Sequence, residues 1–202
     1  MSSVLNWHTD SMINRYACLR AIRIDLFYKN GTPGFAQPDH RQLERDIHVL
    51  MKNMMSLQAV VGYFWVIEWA EDHRYHAHVA FWLDGNRTQI IYPWAEKAGE
   101  LWSKITNREG WHHRCEYKEH YRANINIPVR YNDPESIANI RQALAYMTKI
   151  QQKERLLLHG CNEVPERPST NSIQCQLKKH LDNKRLSSDN RMAIRLLAST
   201  FL

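Results

Sequence analysis

Hydrophobic and polar residues alternate in three segments of the chain, and this alternation predicts β-strands. In residues 18–28, CLRAIRIDLFY, isoleucine and leucine occupy every second position before the turn-rich KNGTPG. Residues 60–69, VVGYFWVIEW, are too rich in β-branched and aromatic residues to favour a helix. The third strand lies within residues 71–85, EDHRYHAHVAFWLDG, after a polar stretch. The second and third strands are therefore expected to form a hairpin.

Between the strands, apolar residues recur at the three- and four-residue spacing that is typical of amphipathic helices. Residues 38–58 have this spacing, with Asp39 as the candidate N-cap, and their methionines favour core packing over a binding groove. Residues 93–107 begin with a proline near the first turn. Residues 133–153 begin with Asp133 at the cap position and a proline directly after it. The pattern thus predicts three helices in the main part of the chain.

Two weaker strands complete the predicted fold. Residues 113–121 and 125–130 have shorter strand-like patterns. The order β-α-β-β-α-β-β-α predicts an α+β protein in which helices pack on a five-stranded antiparallel sheet. We expect a main domain over residues 1–155, a linker over 156–174 and a basic helical tail over 175–202.

The composition narrows the class of protein and of partner. Of the 202 residues, 44% are hydrophobic and 24% are charged, which is typical of a globular protein rather than a disordered one. The net charge of +6 favours a polyanionic partner, with nucleic acid first. The four cysteines form no CxxC pair, and we recognise neither a signal peptide nor an apolar run long enough to cross a membrane. We therefore expect a cytoplasmic protein that does not enter a membrane.

The third strand contains two histidines, His76 and His78, separated by one residue. Alternate residues of a strand point to the same face, so both imidazoles are expected at one site. If the hairpin is centred on Asp72, Glu68 lies opposite His76, and a shift of register would leave Glu71 or Asp72 as its substitute. Two imidazoles and a carboxylate suit Mn²⁺, Mg²⁺ with waters, or Zn²⁺. A histidine pair that binds no metal is the competing interpretation.

The last helix carries a tyrosine and a lysine on neighbouring positions of one face. Tyr146 and Lys149 are three positions apart in YMTK and lie largely away from the apolar stripe, although a tyrosine at the rim of a core would show the same pattern. A tyrosine hydroxyl can attack phosphorus to form a covalent phosphotyrosine, and a lysine beside it can offset phosphate charge. With a metal that acts as a Lewis acid on a phosphate oxygen, these residues compose a site for cleaving a phosphodiester.

Further basic and aromatic residues are candidates for contacts with DNA, although surface or core roles could also explain them. The candidates are Arg20, Arg23, Arg74 and Lys153 for phosphates, and Trp69 and Trp82 for base stacking. The segment WHHRCEYKEH, residues 111–120, contains three histidines and a cysteine, but their spacing fits no common structural zinc motif. We therefore interpret them as ordinary strand and loop residues.

Three motifs occur in an order that resembles a known superfamily. YHAHVAFWLDG resembles the His-hydrophobic-His motif of the HUH endonucleases, YMTK resembles their tyrosine motif, and LRAIRIDL resembles their first strand motif. The hairpin VIEWAEDHRYHAHVAFWLDGN, the helix YPWAEKAGELW and the late AYMTK are together similar to the inovirus-type replication initiators, also called the YagK/YfjJ C-terminal domain family. The resemblance covers approximately residues 18–153.

The resemblance implies an HUH nuclease domain, whose sheet is five-stranded, antiparallel and of ferredoxin-like or RRM-like type. It implies a divalent metal, Mn²⁺ or Mg²⁺, bound by His76, His78 and Glu68, and it implies that Tyr146 is the nucleophile. The implied activity is site-specific nicking and rejoining of one DNA strand through a 5′-phosphotyrosine, which starts rolling-circle replication of a phage, prophage or plasmid. The implied partners are single-stranded DNA or supercoiled origin DNA and, because the chain has no Walker A motif, a host helicase.

Two other functions remain open from the residues alone. The chain could be a non-catalytic module that binds single-stranded nucleic acid in a regulatory role. Less expected is a zinc hydrolase that acts on a small molecule through the histidines without the tyrosine. The nicking enzyme alone requires a covalent adduct between Tyr146 and DNA, and Tyr131 is a candidate for a second nucleophile only by default.

Overall fold

One antiparallel sheet with helices on both of its faces forms the fold. The computed structural model describes residues 2–148 and 158–166, and the sheet belongs to one unit, Met1–Pro165. The helices are α1 (Ser2–Arg15), α2 (Arg41–Met55), α3 (Tyr92–Ile105) and α4 (Pro134–Ala145), which a 3₁₀ turn (Tyr146–Thr148) follows. The strands are β1 (Cys18–Tyr28), β2 (Val60–Ala70), β3 (Arg74–Asp84), β4 (Gly110–Arg114), β5 (Val129–Arg130) and β6 (Leu158–Cys161). The α+β class predicted from the sequence is confirmed.

The strand order gives β3 the central position in the sheet. The strands lie in the order β4-β1-β3-β2-β6, and the short β5 pairs with the beginning of β1. β3 pairs antiparallel with β1 on one side and with β2 on the other. A side chain on β3 therefore has neighbours from two strands on the same face of the sheet.

The two faces of the sheet bury different helices. The α2/α3 face packs on α2 and α3 through residues such as Ile47, Phe81 and Trp102. The α1/α4 face packs on α1 and α4 through residues such as Trp82 and Leu144. Because side chains alternate along a strand, the even-numbered residues of β3 lie on the α1/α4 face.

The later strands are shorter than the sequence pattern predicts. β4 spans Gly110–Arg114 rather than 113–121, because the residues after it are largely charged, polar and exposed and have no apolar face to bury. Only Val129–Arg130 of the predicted strand 125–130 pairs with the sheet. The residue before this pair is a proline, which has no N–H to donate to a neighbouring strand.

Two elements occur where the pattern predicted none. α1 buries Leu5, Met12 and Ile13, although its sequence lacks a pronounced apolar stripe. β6 lies within the linker predicted over 156–174 and pairs with β2. The predicted tail over 175–202 lies outside the described residues, so the division of the chain into domain, linker and tail stays a prediction. Among the helices that the structure describes, none combines the length and the apolar character that a membrane span requires.

The helices α2 and α4 begin in different ways. Asp133 is the N-cap of α4, as predicted, and its carboxylate accepts two backbone N–H groups of the first turn at 3.1 and 3.4 Å. The predicted N-cap of α2, Asp39, is wrong by one residue. His40 occupies that position without a side-chain cap, while the carboxylate of Asp39 accepts the N–H of Arg41 at 2.9 Å.

Replacing the cap of α4 should destabilise the protein measurably. We expect Asp133→Ala to lower the free energy of unfolding by about 1 kcal/mol, because two N–H groups lose their acceptor. Asp133→Asn is the matched control, since its amide oxygen can still accept these hydrogen bonds. Urea unfolding followed by circular dichroism measures both variants. Equal stability of Asp133→Ala and the wild type would contradict the assigned cap.

Candidate metal centre

The hairpin of β2 and β3 brings three potential metal ligands together. Glu68 pairs directly with His76, which is the register expected for a turn centred on Asp72. His78 follows two residues later, so all three side chains lie on the α1/α4 face. Their exposed fractions are 7% for Glu68, 6% for His76 and 9% for His78. One carboxylate and two imidazoles are thus buried side by side, and we call them the metal group.

Hydrogen bonds orient both imidazoles of the metal group. Nδ1–H of His76 donates to the carbonyl of Arg74 at 3.1 Å, and Nδ1–H of His78 donates to Oδ1 of Asp25 on β1 at 2.6 Å. With Nδ1 engaged, Nε2 of each ring is the atom left to bind a cation. Nε2 of His78 lies 3.5 Å from Oε2 of Glu68. The ligand atoms of the metal group all lie within 4.8 Å of one another, so the group can hold a divalent metal ion.

Asp25 stabilises positive charge at His78. Although burial alone would raise the pKa of the Asp25 carboxyl, the hydrogen bond to His78 and the charges of His78 and Arg23 lower it to about 2. Burial also opposes a charged His78, but the hydrogen bonds to Asp25 and Glu68 raise the pKa of His78 above its usual value. Burial lowers the pKa of His76. Positive charge near His78 and a neutral His76 are the conditions under which a cation can replace a proton.

Arg23 connects the metal group to Tyr146. It lies on β1 two residues before Asp25, and its guanidinium donates to the two carboxylate oxygens of Asp25 at 3.2 and 3.3 Å. Its Cζ atom lies 4.7 Å from the centroid of the Tyr146 ring. Tyr146 begins the 3₁₀ turn after α4 and is 47% exposed. A series of contacts therefore runs from the exposed tyrosine through Arg23 and Asp25 to His78.

The two tryptophans predicted to stack on bases do not lie at this site. Trp82 is fully buried in the core of the α1/α4 face, so no face of its ring is open to a base. Trp69 alternates with Glu68 along β2 and therefore lies on the opposite face of the sheet. Its ring carries the guanidinium of Arg74, whose Cζ lies 5.9 Å from the ring centroid. Burial and strand alternation together correct both stacking assignments.

The basic residues predicted to contact phosphates are spread over several places. Arg20 lies on β1 three residues before Arg23, so it points to the other face, and it donates to two backbone carbonyls at 2.6 and 3.2 Å. Arg74 lies at the hairpin turn with a φ of 53°. Lys149 and Lys153 lie outside the described residues. Of the predicted phosphate contacts that the structure describes, Arg23 is the one that adjoins the metal group through Asp25.

A second group of potential ligands shares Asp25. His113 of β4 pairs with Asp25, and Cys115 follows two residues later. Their ligand atoms lie within 4.8 Å of one another, although the sequence pattern favoured ordinary strand and loop roles. Burial raises the pKa of the Cys115 thiol to about 12, so the thiol keeps its proton. A soft ion such as Zn²⁺ would have to displace that proton and compete with His78 for Asp25.

Asp25 is the residue of this site that the sequence analysis missed. One signal was present, because Arg23 and Asp25 are charged residues at alternate positions of an otherwise apolar strand. Asp25 becomes a partner of His78 through the pairing of β1 with β3, in which these two residues lie opposite each other. More than 50 residues separate the two positions in the chain, so this register cannot be read from local alternation.

Comparison with known proteins identifies one family. The family of replication-associated protein ORF2 matches residues 26–155, which is more than half of the 202 residues. The match includes the hairpin with the metal group and the helix that leads to Tyr146. Searches of curated proteins and of solved structures find no match to the sequence.

The hydrogen bond between Asp25 and His78 predicts a pH-dependent effect in the metal-free protein. Asp25→Asn should lower the pKa of His78, because a neutral amide no longer stabilises the imidazolium. Since the pKa of His78 is raised by folding, its contribution to stability is present below the unfolded value of about 6.5 and is lost as the pH rises through the folded value. Asp25→Asn should therefore destabilise the protein more at about pH 5.5 than at about pH 8.5.

NMR titration of the imidazole C–H signals and urea unfolding at both pH values measure these effects. Asp84→Asn is the matched control, because Asp84 is a partly buried carboxylate at the other end of β3. An unchanged pKa of His78 in Asp25→Asn would show that the carboxylate does not control this ring.

The two ligand groups predict different responses of metal affinity to mutation. Glu68→Gln should weaken the binding of Mn²⁺ by at least about tenfold, because a hard divalent cation loses its carboxylate ligand. Cys115→Ala should leave Mn²⁺ affinity unchanged, since a thiol is a poor ligand for this ion. Isothermal titration calorimetry with the purified protein gives both affinities. If Cys115→Ala caused the larger loss, the metal would bind at the second group.

Proposed function

The chain belongs to the replication-associated protein ORF2 family, and from this premise we propose that it is a replication initiator that nicks and rejoins one strand of DNA. The observation that carries the proposal is the contact series from an exposed tyrosine to a buried metal group. Two histidines and a carboxylate are typical of sites that hold a divalent cation with open coordination positions. An exposed hydroxyl close to such a group suits nucleophilic attack on a phosphodiester.

The residues of the metal group fit Mn²⁺ or Mg²⁺ by their chemistry. Glu68 supplies an oxygen ligand, and His76 and His78 supply Nε2 atoms whose direction is set by the hydrogen bonds at Nδ1. A bound divalent cation would supply Lewis-acid catalysis by withdrawing charge from a phosphate oxygen. The role of Asp25 is to hold the His78 ring and its tautomer in place. The imidazoles favour Mn²⁺ over Mg²⁺, which prefers oxygen ligands.

Tyr146 is the proposed nucleophile. Its hydroxyl oxygen forms a bond to phosphorus and gives up its proton, while the bond from phosphorus to the 3′-oxygen of the preceding nucleotide breaks. The 3′-oxygen takes up a proton, and the strand remains attached to Tyr146 as a 5′-phosphotyrosine. Attack by a free 3′-hydroxyl reverses these steps and rejoins the strand, so no external energy source is required.

Arg23 is proposed to support this reaction from the face of the tyrosine ring. Its guanidinium lies over the Tyr146 ring, where a cation stabilises the negative charge that develops on the phenolic oxygen and on the phosphate. Its second contact, with Asp25, fixes its position relative to the metal group. Lys149, three positions after Tyr146 in the sequence, is proposed to offset phosphate charge as well.

The proposal extends to the class of enzyme and its biological setting. We assign the chain to the HUH endonucleases and, within them, to inovirus-type initiators of rolling-circle replication in a phage, prophage or plasmid. Single-stranded or supercoiled origin DNA is the proposed substrate, and Arg20, Arg74 and Lys153 are proposed further contacts with its phosphates. Because the chain carries no Walker A motif, strand separation requires a separate helicase.

A covalent adduct tests the proposal directly. Single-stranded oligonucleotides that tile the DNA around the gene, incubated with the protein and Mn²⁺ or Mg²⁺, should yield an adduct that resists SDS. Tyr146→Phe should abolish it, because the nucleophilic oxygen is removed, and His76→Ala/His78→Ala should reduce it by at least about 100-fold. Tyr131→Phe is the matched control, since Tyr131 is 53% exposed and lies before α4, and it should retain the adduct.

The alternatives give different results in the same experiment. A non-catalytic binding module would bind oligonucleotides without forming an adduct on any tile with either metal. An adduct that persisted in Tyr146→Phe and disappeared in Tyr131→Phe would move the nucleophile to Tyr131. Hydrolysis of a small substrate without any DNA binding would favour the zinc hydrolase.

A further inference from the structure

A row of aromatic rings extends from the metal group to the edge of the sheet. Trp111 on β4 pairs with Phe27 on β1, and their rings stack with centroids 4.5 Å apart and planes inclined by 15°. Phe27 stacks in turn on His76, with centroids 5.4 Å apart and planes inclined by 12°. Glu68 lies opposite His76 on the next strand. We call Trp111, Phe27 and His76 the aromatic row, which crosses three strands and ends at a metal ligand.

The outer end of the aromatic row is open. Phe27 and His76 are 7% and 6% exposed, whereas Trp111 is 40% exposed. β4 is the terminal strand of the path β4-β1-β3-β2-β6, so within the described sheet no strand continues the row beyond Trp111. One more flat ring could therefore stack on the outer face of the indole at the spacing that the row already has.

Cations line the same edge of the sheet. Trp111 forms part of the wall of an open cleft of about 800 Å³ between β4 and the C-terminal part of α3. Two carboxylates of the cleft, Glu96 and Glu100, pair with cations outside it at 3.6 and 3.4 Å. The cations that line the cleft, and that form no ion pair with a carboxylate of the described residues, are Lys29, Lys104 and Arg108.

We propose that Trp111 is a base-stacking residue for single-stranded DNA, and that the strand follows the cationic cleft to the metal group along the aromatic row. The inference rests on the proposed function, because it takes the DNA strand as the ligand of this surface. Every base has a flat π-face, so stacking on an exposed indole tolerates any sequence, and cations beside it follow the phosphates. In a duplex the bases are stacked on one another, so the same surface should favour the single strand.

Trp111 also covers Phe27, and the test must separate this packing role from base stacking. Trp111→Leu keeps an apolar side chain over Phe27 but has no π-face, whereas Trp111→Phe keeps a ring. Trp7→Ala is the matched control, because Trp7 is 60% exposed on α1 and lies outside the family match. Urea unfolding of each variant measures the loss of packing separately.

Binding of a fluorescein-labelled single-stranded oligonucleotide of about 16 nucleotides, in EDTA and at several salt concentrations, tests the proposal. Trp111→Leu and Trp111→Ala should each weaken binding about tenfold, while Trp111→Phe should bind within about threefold of the wild type. These variants should leave the slope of log affinity against log salt unchanged, because the phosphate contacts remain. Lys104→Ala/Arg108→Ala should reduce that slope by about 1 to 2. Trp7→Ala should bind like the wild type.

Wild-type affinity in Trp111→Leu would overturn the proposal, and so would equal affinity of the wild type for duplex and single strand. Preferential binding of an RNA oligonucleotide of the same sequence would also overturn the assignment of the ligand. Because EDTA removes the metal and no adduct is required, this result is independent of the nicking chemistry. Weakened binding in Trp111→Leu without any adduct in the wild type would leave the stacking site standing and remove the nickase. An adduct with unchanged binding in Trp111→Leu would do the reverse.

Discussion

The site depends on the pairing of β3 with β1 and β2 at one fixed register. This pairing sets Glu68 beside His76 and Asp25 beside His78 on the α1/α4 face. A shift of one residue in β3 would turn both histidines into the core of the α2/α3 face, where apolar residues such as Val79 now pack. The large apolar residues on both faces of the central strands make such a shift costly. The chemistry of the site is therefore secured by the packing of the core at the other end of the same strands.

Burial of charged groups is the consequence of this arrangement, and each described group has a partner that offsets the cost. Asp25 receives hydrogen bonds from His78 and from Arg23, and Glu68 adjoins His78. These contacts restrict the motion of the side chains before any ligand arrives, which is what a metal site requires. Tyr146, by contrast, lies on a separate element and is half exposed, so a phosphate can approach it from solvent.

The sequence predicted the local parts of this structure well and the long-range parts poorly. The strand β1, the hairpin and the helix cap at Asp133 follow from alternation, turn residues and capping chemistry, all of which act over a few neighbouring residues. The opposition of Glu68 and His76 follows from the same local rule, because a short turn fixes the register of a hairpin. Asp25, Trp111 and the burial of Trp82 depend on contacts between distant strands and on α1, which has no strong pattern. The residues that align and extend the site were therefore missed, whereas the proposed ligands and nucleophile were found.

The central claim is that Glu68, His76 and His78 hold a divalent cation within reach of Tyr146. Anomalous diffraction from crystals of the wild-type protein grown with Mn²⁺ tests it most directly, because manganese can be located without reference to activity. We predict the strongest anomalous peak between Nε2 of His76, Nε2 of His78 and the carboxylate of Glu68. A peak at Asp25, His113 and Cys115 instead, or no peak near either group, would contradict the account.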